Sequence, residues 1–512
     1  MTDIALLWRP DQAAVLKTQL APDVRTFPLS QKTCAAALAA GLPNVDTRYF
    51  ERLERIDLSR LRDVAEAAVR DHENRHGPAL HRPAIWHNAY EAAFVADAAG
   101  LLLGTTPTAF IVASHEGEPE TDALAALCAA RGVALKRLSH SPVTRPRAPL
   151  GVPHDIAFDD AAHAARTGPW RLLVAVAVSD LGDQLRKAAR RGDVVLAVDA
   201  EASGDADAIN ALARTLGNVS ILPLSTGEAL FDERGDNAAY AADVTAQLAR
   251  ALARRPEEVI VSDLRRVETA LAVRAARACG APVRLHAHSA SVMAAPYRFD
   301  EPDLRRSVWT RSARALDNAD MVDCPRAIRP PATHRAARLA QRLARHVARI
   351  FAPPRIGFVV TTNKLFVAPE APLAPMIRAL HAMHAAAPHA QVLLRLRRLE
   401  DSVVVWKLAL PGVDITSETR DDRPFIAFAR DCDLIVELGS ESSAFLEAAA
   451  VGAPYVRVDA SPPGIRRFNR PVGLVPQLSI SEAAALLDAP FRRLALGVRQ
   501  FRALERDTRP SS

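Results

Sequence analysis

The residues best placed to do chemistry lie near the C-terminal end, where Gly439-Ser-Glu-Ser-Ser443 separates an aliphatic run from a helical stretch. Hydroxyls and free amides at the start of a helix suit a phosphate or a sugar hydroxyl, which makes Ser440, Ser442 and Ser443 candidate ligands. Ser440 fits equally well as a helix N-cap. Glu447 follows one turn later, where its carboxylate can face a cleft and accept hydrogen bonds from ribose hydroxyls. An earlier aliphatic run, 356–360, ends in Thr361-Thr-Asn-Lys364. Lys364 reads either as a phosphate contact, with Thr361, Thr362 and Asn363 beside it, or as an ordinary loop lysine. Residues 391–396 carry Arg395 toward the same edge, a weaker signal because charges after strands are common.

The N-terminal half offers Val283-Arg-Leu-His-Ala-His-Ser-Ala-Ser291. At period-two spacing His286 and His288 share one face of a strand end. An imidazole there could deprotonate a hydroxyl, since its pKa lies near working pH. Asp263, closing the run 258–262, could orient such a histidine or act as base itself. Each is also readable as a strand-end residue with a structural hydrogen bond. His87 and His115 are further edge candidates. A metal pair at His286 and His288 lacks a third ligand, so neither metal nor cofactor is expected.

These residues need elements to hold them, and the whole chain supplies one rhythm: aliphatic run, turn, helix, aliphatic run, the pattern of parallel α/β sheets. Strands are expected at 4–8, 24–28, 108–113, 133–138, 171–178, 193–198, 219–222, 258–262, 283–286 and 320–323. A second series is expected at 356–361, 391–396, 403–406, 433–437 and 455–458. Four prolines mark 141–153 as a linker or excursion. A basic helix over 329–351 reads as a bridge. The expected domains are a Rossmann-like one over 1–345 and a second over 352–490, with a final helix over 491–512 packing back on the first.

At 512 residues the chain exceeds what one core serves, and 49% hydrophobic with 5% aromatic content fits alanine-rich helices around aliphatic strands. The longest apolar run, residues 98–103, is far too short to span a bilayer, and the N-terminus lacks a signal pattern, so a cytoplasmic location is expected. Five scattered cysteines without C-x-x-C argue against disulfides and structural zinc. The net charge of +6 comes without aromatic-interleaved basic patches, so no nucleic-acid partner is expected. Phosphate-binding G-x-x-x-x-G-K-[ST] and dinucleotide-binding G-x-G-x-x-G loops are missing, and so is a G-x-S-x-G elbow. Two D-x-D matches, Asp205/Asp207 and Asp431/Asp433, lack the context of a metal site.

The pattern Gly-Ser-x-Ser-Ser-x-x-x-Glu-Ala-x-x-x-Gly-x-Pro over 439–454 resembles the donor signature of GT-B glycosyltransferases, similar to bacterial capsule and lipopolysaccharide transferases of the Kdo- or sialyltransferase kind. About 25 residues carry the likeness. It implies an α/β GT-B fold, two Rossmann-like domains facing across a cleft, and metal-independent transfer from a CMP-, UDP- or GDP-sugar to a surface glycan or lipopolysaccharide. It implies donor contacts for Ser440, Ser442, Ser443 and Glu447, with Gly439 shaping the turn. Nucleotide-sugar epimerases share the architecture, and a non-catalytic subunit of a polysaccharide assembly would keep the fold without the donor side chains. The basic stretch 491–502 reads either as a solvated helix with one apolar stripe or as a contact with anionic lipid of the inner membrane near a lipid-linked acceptor.

Overall fold

The structure, a computed structural model, describes residues 2–76, 82–115, 117–140, 151–175, 181–198, 206–224, 237–262, 267–287, 304–329, 332–361, 373–396, 402–419, 422–439, 442–458 and 475–509. It contains three parallel sheets where the sequence suggested two. The first has the order β2-β1-β3-β4, with β1 Ile4–Leu7, β2 Arg25–Pro28, β3 Ala109–Ser114 and β4 Ala134–Ser139. The second, seven-stranded sheet comprises β5 Trp170–Ala175, β6 Asp193–Val198, β7 Val219–Pro223, β8 Glu258–Val261, β9 Val283–His286, β10 Arg305–Val308 and β11 Met321–Val322. The third comprises β12 Arg355–Thr361, β13 Gln391–Arg395, β14 Ile415–Glu418, β15 Leu434–Gly439, β16 Tyr455–Val458 and β17 Gln477–Leu478.

The second and third sheets share one topology. In β11-β10-β9-β8-β5-β6-β7 and in β14-β13-β12-β15-β16-β17 the first strand lies inside, two strands follow on one side, and the chain then returns to the other. That is the Rossmann order, and it creates a point of reversal beside the first strand. Both faces of the second sheet are covered, which explains its unbroken aliphatic runs. Leu172, Val174, Val259 and Val261 pack on one side with Val244 and Ala270, whereas Leu173, Leu196 and Ile260 pack on the other with Leu185 and Ile209.

The chain divides into two compact units. The first joins Met1–Ala65, His87–Thr144 and Pro330–Arg506, so it contains the four-stranded and six-stranded sheets. The second holds Glu66–Trp86, Arg145–Arg329 and Asp507–Ser512, with the seven-stranded sheet. The stretch 1–345 is therefore not one Rossmann-like body: its first sheet belongs with the C-terminal sheet. Within that unit Arg378 Nη1 donates to Glu54 Oε2 at 2.8 Å, and the Ser402 amide donates to Gln31 Oε1 at 2.9 Å. Of the linker expected at 141–153, residues 141–150 lie outside the described residues. Asp507 accepts hydrogen bonds from the Ser312 amide and hydroxyl, 2.9 and 2.8 Å, inside the second unit.

Residues 403–406, expected as a strand, form the helix Val403–Ala409. Three successive valines favour a strand locally, but burial of Val405 and Trp406 on one helical face overrides that preference. Strands β10, β14 and β17 were not expected. They are short, and β10 and β14 carry charged residues that break the aliphatic pattern.

The motif glycine Gly452 has a packing role. It ends the turn before β16 with φ +68°, and Gly497 of the helix Pro490–Asp507 lies directly on its carbonyl. Gly497→Ala would drive a methyl into that backbone oxygen, and such overpacking costs about 1–3 kcal/mol. Thermal melting should show a clear fall in Tm. An unchanged Tm would disprove the close approach.

A second prediction concerns the four-stranded sheet. Burial first, then Glu91 and Glu118, raise the Glu120 carboxyl from its ordinary 4.5 to about 8, with Arg9 opposing. The folded state thus binds this proton more tightly than the unfolded chain. The associated stability is complete below about pH 4.5 and is lost as pH rises toward 8. Glu120→Gln should flatten the fall in Tm across that window and raise Tm at pH 8.5. Parallel curves for the two proteins would refute the shift.

Candidate functional site

The point of reversal in the six-stranded sheet lies between β12 and β15, whose last register pair is Thr361 with Gly439. Thr361 and Gly439, the strand ends at which the two segments read from the sequence as ligand-binding begin, both lie there. Ligands collect at this edge in open parallel sheets, because neighbouring connections diverge to opposite faces and leave a crevice. Thr362, Asn363, Lys364 and Ser440 lie outside the described residues. Of Thr361 and Gly439 the structure gives the backbone.

Directly below this edge runs a row of polar side chains. The register aligns Glu418 of β14, Arg395 of β13, Val359 of β12, Glu437 of β15, Arg457 of β16 and Gln477 of β17. Partners in register project to the same face of a sheet. Arg395, Glu437 and Arg457 are all buried, an arrangement that costs several kcal/mol per charge unless opposite charges compensate. The row supplies them by placing Arg395 beside Glu418 and Arg457 beside Glu437.

Arg395 illustrates how far it is held. Its Nη2 donates to the Arg423 carbonyl at 2.7 Å, its Nη1 lies 3.7 Å from Glu418 Oε2, and its guanidinium sits over the rings of Phe425 and Phe428, 6.0 and 5.6 Å from their centroids. Nη1 is buried and makes no hydrogen bond among the described residues. Burial draws the Arg395 pKa below the usual arginine range, while Glu418 and Glu447 favour its charge. Glu447 thus belongs to the same cluster, and the fold brings together these two residues expected at the site. Glu447 also acts on Tyr455, whose phenol is pushed far above its ordinary range by burial and by the neighbouring Glu437.

The turn itself differs from the simplest reading. The helix after it, Ala444–Ala449, has only six residues, so its dipole contributes little to anion binding. Ser443 occupies the N-cap position without a side-chain capping bond, and the Ser442 hydroxyl accepts from the Ala444 amide at 3.1 Å. One lone pair of the Ser442 hydroxyl is thus engaged by its own helix. The cations that the described residues place near this edge are Arg395 and Arg457 of the sheet.

Glu418, Arg423, Glu437, Tyr455 and Arg457 escaped the sequence reading. A signal existed for two of them: Glu437 and Arg457 interrupt the aliphatic runs of β15 and β16. Arg423 donates to both carboxylate oxygens of Glu418 at 2.6 Å and also contacts Asp431, which accepts from Arg345 at 2.6 Å. The hydrogen bond to Glu418 raises the Arg423 pKa above the usual arginine range. Asp431 and Asp433, one of the D-x-D matches, are structural: Asp433 Oδ2 accepts the Arg355 amide at 2.9 Å.

In the seven-stranded sheet Asp263 and His288 lie outside the described residues. His286 is 1% exposed. Its Nδ1 is 2.9 Å from Ser307 Oγ and its Nε2 is 3.1 Å from Gln184 Nε2, with Asp323 Oδ2 at 3.9 Å. Both ring nitrogens are engaged beneath the helix Leu181–Ala189, so the geometry makes His286 a structural link rather than an open base. His87 is buried, and His115 Nδ1 lies 3.6 Å from Glu118 Oε2 in the four-stranded module. A groove of about 830 Å³ lies over the N-terminal ends of β5, β8, β9 and β10, lined by Arg171, Lys187, Arg191, Glu258, Arg284 and Asp323. It occupies the opposite edge from the point of reversal, and its charges are largely paired: Lys187 Nζ is 2.6 Å from Asp323, and Arg284 Nε is 3.0 Å from Glu258.

No family model matches the sequence, and no curated protein matches it. Among solved structures the chain is similar to the UDP-GlcNAc 2-epimerase of Neisseria meningitidis bound to UDP-GlcNAc, at 10% identity and TM-score 0.42, with 65% of this chain and 96% of that one covered. It is also similar to MurG of Acinetobacter baumannii, at 12% identity and TM-score 0.37, covering 65% and 95%. The glycosyltransferase SnogD of Streptomyces nogalater gives 15% identity and TM-score 0.33, covering 66% and 95%. The fold class is α/β with Rossmann-like parallel sheets, as the sequence suggested.

The ion network predicts its own acid limit. Burial opposes ionisation of Asp431, but hydrogen bonds from Arg423 and Arg345 hold its carboxyl below the ordinary 3.8. Its contribution is present above pH 3.8 and is lost as pH falls through the lower folded value. Arg423→Met should cost about 1–2 kcal/mol near pH 7. The gap between variant and parent Tm should narrow as pH falls below 3.8, and a gap independent of pH would contradict the pairing.

Proposed function

We propose that this chain is a GT-B-type enzyme of nucleotide-activated sugars, a glycosyltransferase whose six-stranded sheet holds the nucleotide end of the donor. The observation that carries this reading is the pairing of Thr361 with Gly439 at the reversal point of a Rossmann-ordered sheet, above a buried row that includes Arg395, on whose charge Glu447 acts. Glu447 would accept hydrogen bonds from ribose hydroxyls. The Arg395 Nη1 donor, with Lys364 and the hydroxyls of Thr361, Thr362, Ser440 and Ser443, would face the phosphates, while Asn363 and Gly439 shape the approach. Transfer would then rest on positioning and on cationic stabilisation of the departing phosphate. An inverting displacement also needs a base, for which Asp263 and His288 are the candidates, since both nitrogens of His286 are occupied. The motif's resemblance points to a surface glycan or lipopolysaccharide as acceptor and to CMP-linked acidic sugars among the donors.

Thermal melting in the presence of CMP, UDP or GDP tests this. One of the three should raise Tm, since saturation at a hundred times Kd stabilises by about 2.7 kcal/mol. Glu447→Ala should abolish that rise. Failure of all three nucleotides would point to a non-catalytic subunit, and an unchanged rise in the variant would dismiss Glu447 as a donor ligand. Epimerisation of the nucleotide sugar without any acceptor would keep the site and replace transfer as the reaction.

A further inference from the structure

The helix Ala332–Ala348 is built inside out. Its inward face carries Arg342 and His346, both buried, with Arg335, Arg345 and Arg349 half-buried beside them. Arg342 Nη1 donates to the Cys432 carbonyl at 2.7 Å, Arg345 to Asp431 at 2.6 Å, and Arg335 Nε lies 2.9 Å from Glu505 Oε1. Arg342 and Arg345 thus fasten the helix to the residues just before β15, and Arg335 ties it to the C-terminal helix. Outside, Thr333, His334 and Gln341 are exposed along the first part of the helix, and its last part shows water Leu343, Ala344 and Val347, followed by Phe351 in the turn that ends it. Val347 is 71% exposed and Phe351 99%. A surface helix ordinarily shows water the reverse pattern.

The neighbouring helix Pro490–Asp507 runs antiparallel, because Arg335 pairs with Glu505 whereas Arg342 and His346 feel the charge of Arg493. Phe491, 71% exposed, therefore lies at the same end of the pair as Phe351. Along this second helix Arg492, Arg499, Arg502 and Arg506 are exposed at intervals of seven, three and four, so they form one stripe. None of the four pairs with a carboxylate among the described residues.

We infer that Val347, Phe351 and Phe491, flanked by the arginine stripe 492-499-502-506, form a docking surface for an anionic lipid membrane. The two features are complementary to such a surface together. Aromatic and aliphatic side chains enter the boundary between headgroups and acyl chains, while unpaired guanidinium groups remain level with the phosphates. A second copy of the chain fits less well, since it would bring two like-charged stripes together. No helix among the described residues is long and apolar enough to cross a membrane, so attachment here would be peripheral and reversible. The proposal does not depend on the nucleotide site.

Co-sedimentation of the full chain with vesicles tests it, comparing pure phosphatidylcholine with phosphatidylcholine containing 30% phosphatidylglycerol. Binding is expected to the anionic vesicles, at least tenfold stronger than to neutral ones, and to weaken in 0.5 M NaCl. Arg499→Glu with Arg502→Glu should lower the affinity about thirtyfold or more, at roughly a factor of five per lost charge. Val347→Ser with Phe351→Ser should lower it at low salt as well. All four positions are exposed, and an unchanged Tm would show that both variants fold. Equal binding to both vesicle types, no binding, or wild-type binding by either variant would overturn the inference. So would a dimer in solution that Phe351→Ser dissociates in a chain that ignores vesicles.

Discussion

Three charged side chains buried in one sheet set the terms for the C-terminal half of this molecule. Arg395, Glu437 and Arg457 lie near the C-terminal ends of β13, β15 and β16, where desolvation penalises each of them. A sheet tolerates that only if opposite charges alternate across it and further groups finish the compensation. Glu418, Arg423, Asp431 and the rings of Phe425 and Phe428 do so for Arg395, and Arg345 links the network to the helix outside. A ligand arriving at the sheet edge would meet a charge pattern already fixed by the folded chain, with little side-chain reorganisation left to do.

The same accounting governs the helix that opens the C-terminal half. Arg342, Arg345 and Arg349 face inward, toward Cys432, Asp431 and Asp433, so three of its arginines are spent on anchoring. The apolar end of its exterior, around Leu343 and Val347, goes with that anchoring. Beside it the helix Pro490–Asp507 can come close only because Gly497 meets Gly452, backbone against backbone. The glycine of the sequence motif therefore serves packing, while the carboxylate of the same motif, Glu447, turns toward the charged row. One short motif thus combines two unrelated physical demands.

Legibility in the sequence followed burial. Strands covered on both faces, such as β5, β6, β12 and β15, announce themselves as aliphatic runs, and nearly all were expected in place. Edge strands and charged ones, β10, β14 and β17, did not stand out. Val403-Val-Val-Trp406 misled because its local preference for a strand yields to packing of Val405 and Trp406 on a helical face. At the site the turn and Glu447 were legible from residue type and spacing. The compensating residues were not, since Glu418, Arg423 and Arg457 lie far from the motif in sequence and become its neighbours only through strand order. His286 looked like a strand-end base, yet Ser307 and Gln184, distant in the chain, occupy both of its nitrogens.

The sequence by itself determined the α/β class, the parallel rhythm and the two segments that flank the reversal point of the last sheet, because periodic burial and turn chemistry are local properties. Only the tertiary structure decided that the first, four-stranded sheet belongs with the C-terminal sheet and that charges align in one row. It also decided that a basic helix turns Arg342 and Arg345 inward. Those outcomes depend on which strands become neighbours and on where desolvated charges find partners, and neither quantity exists until the chain has folded.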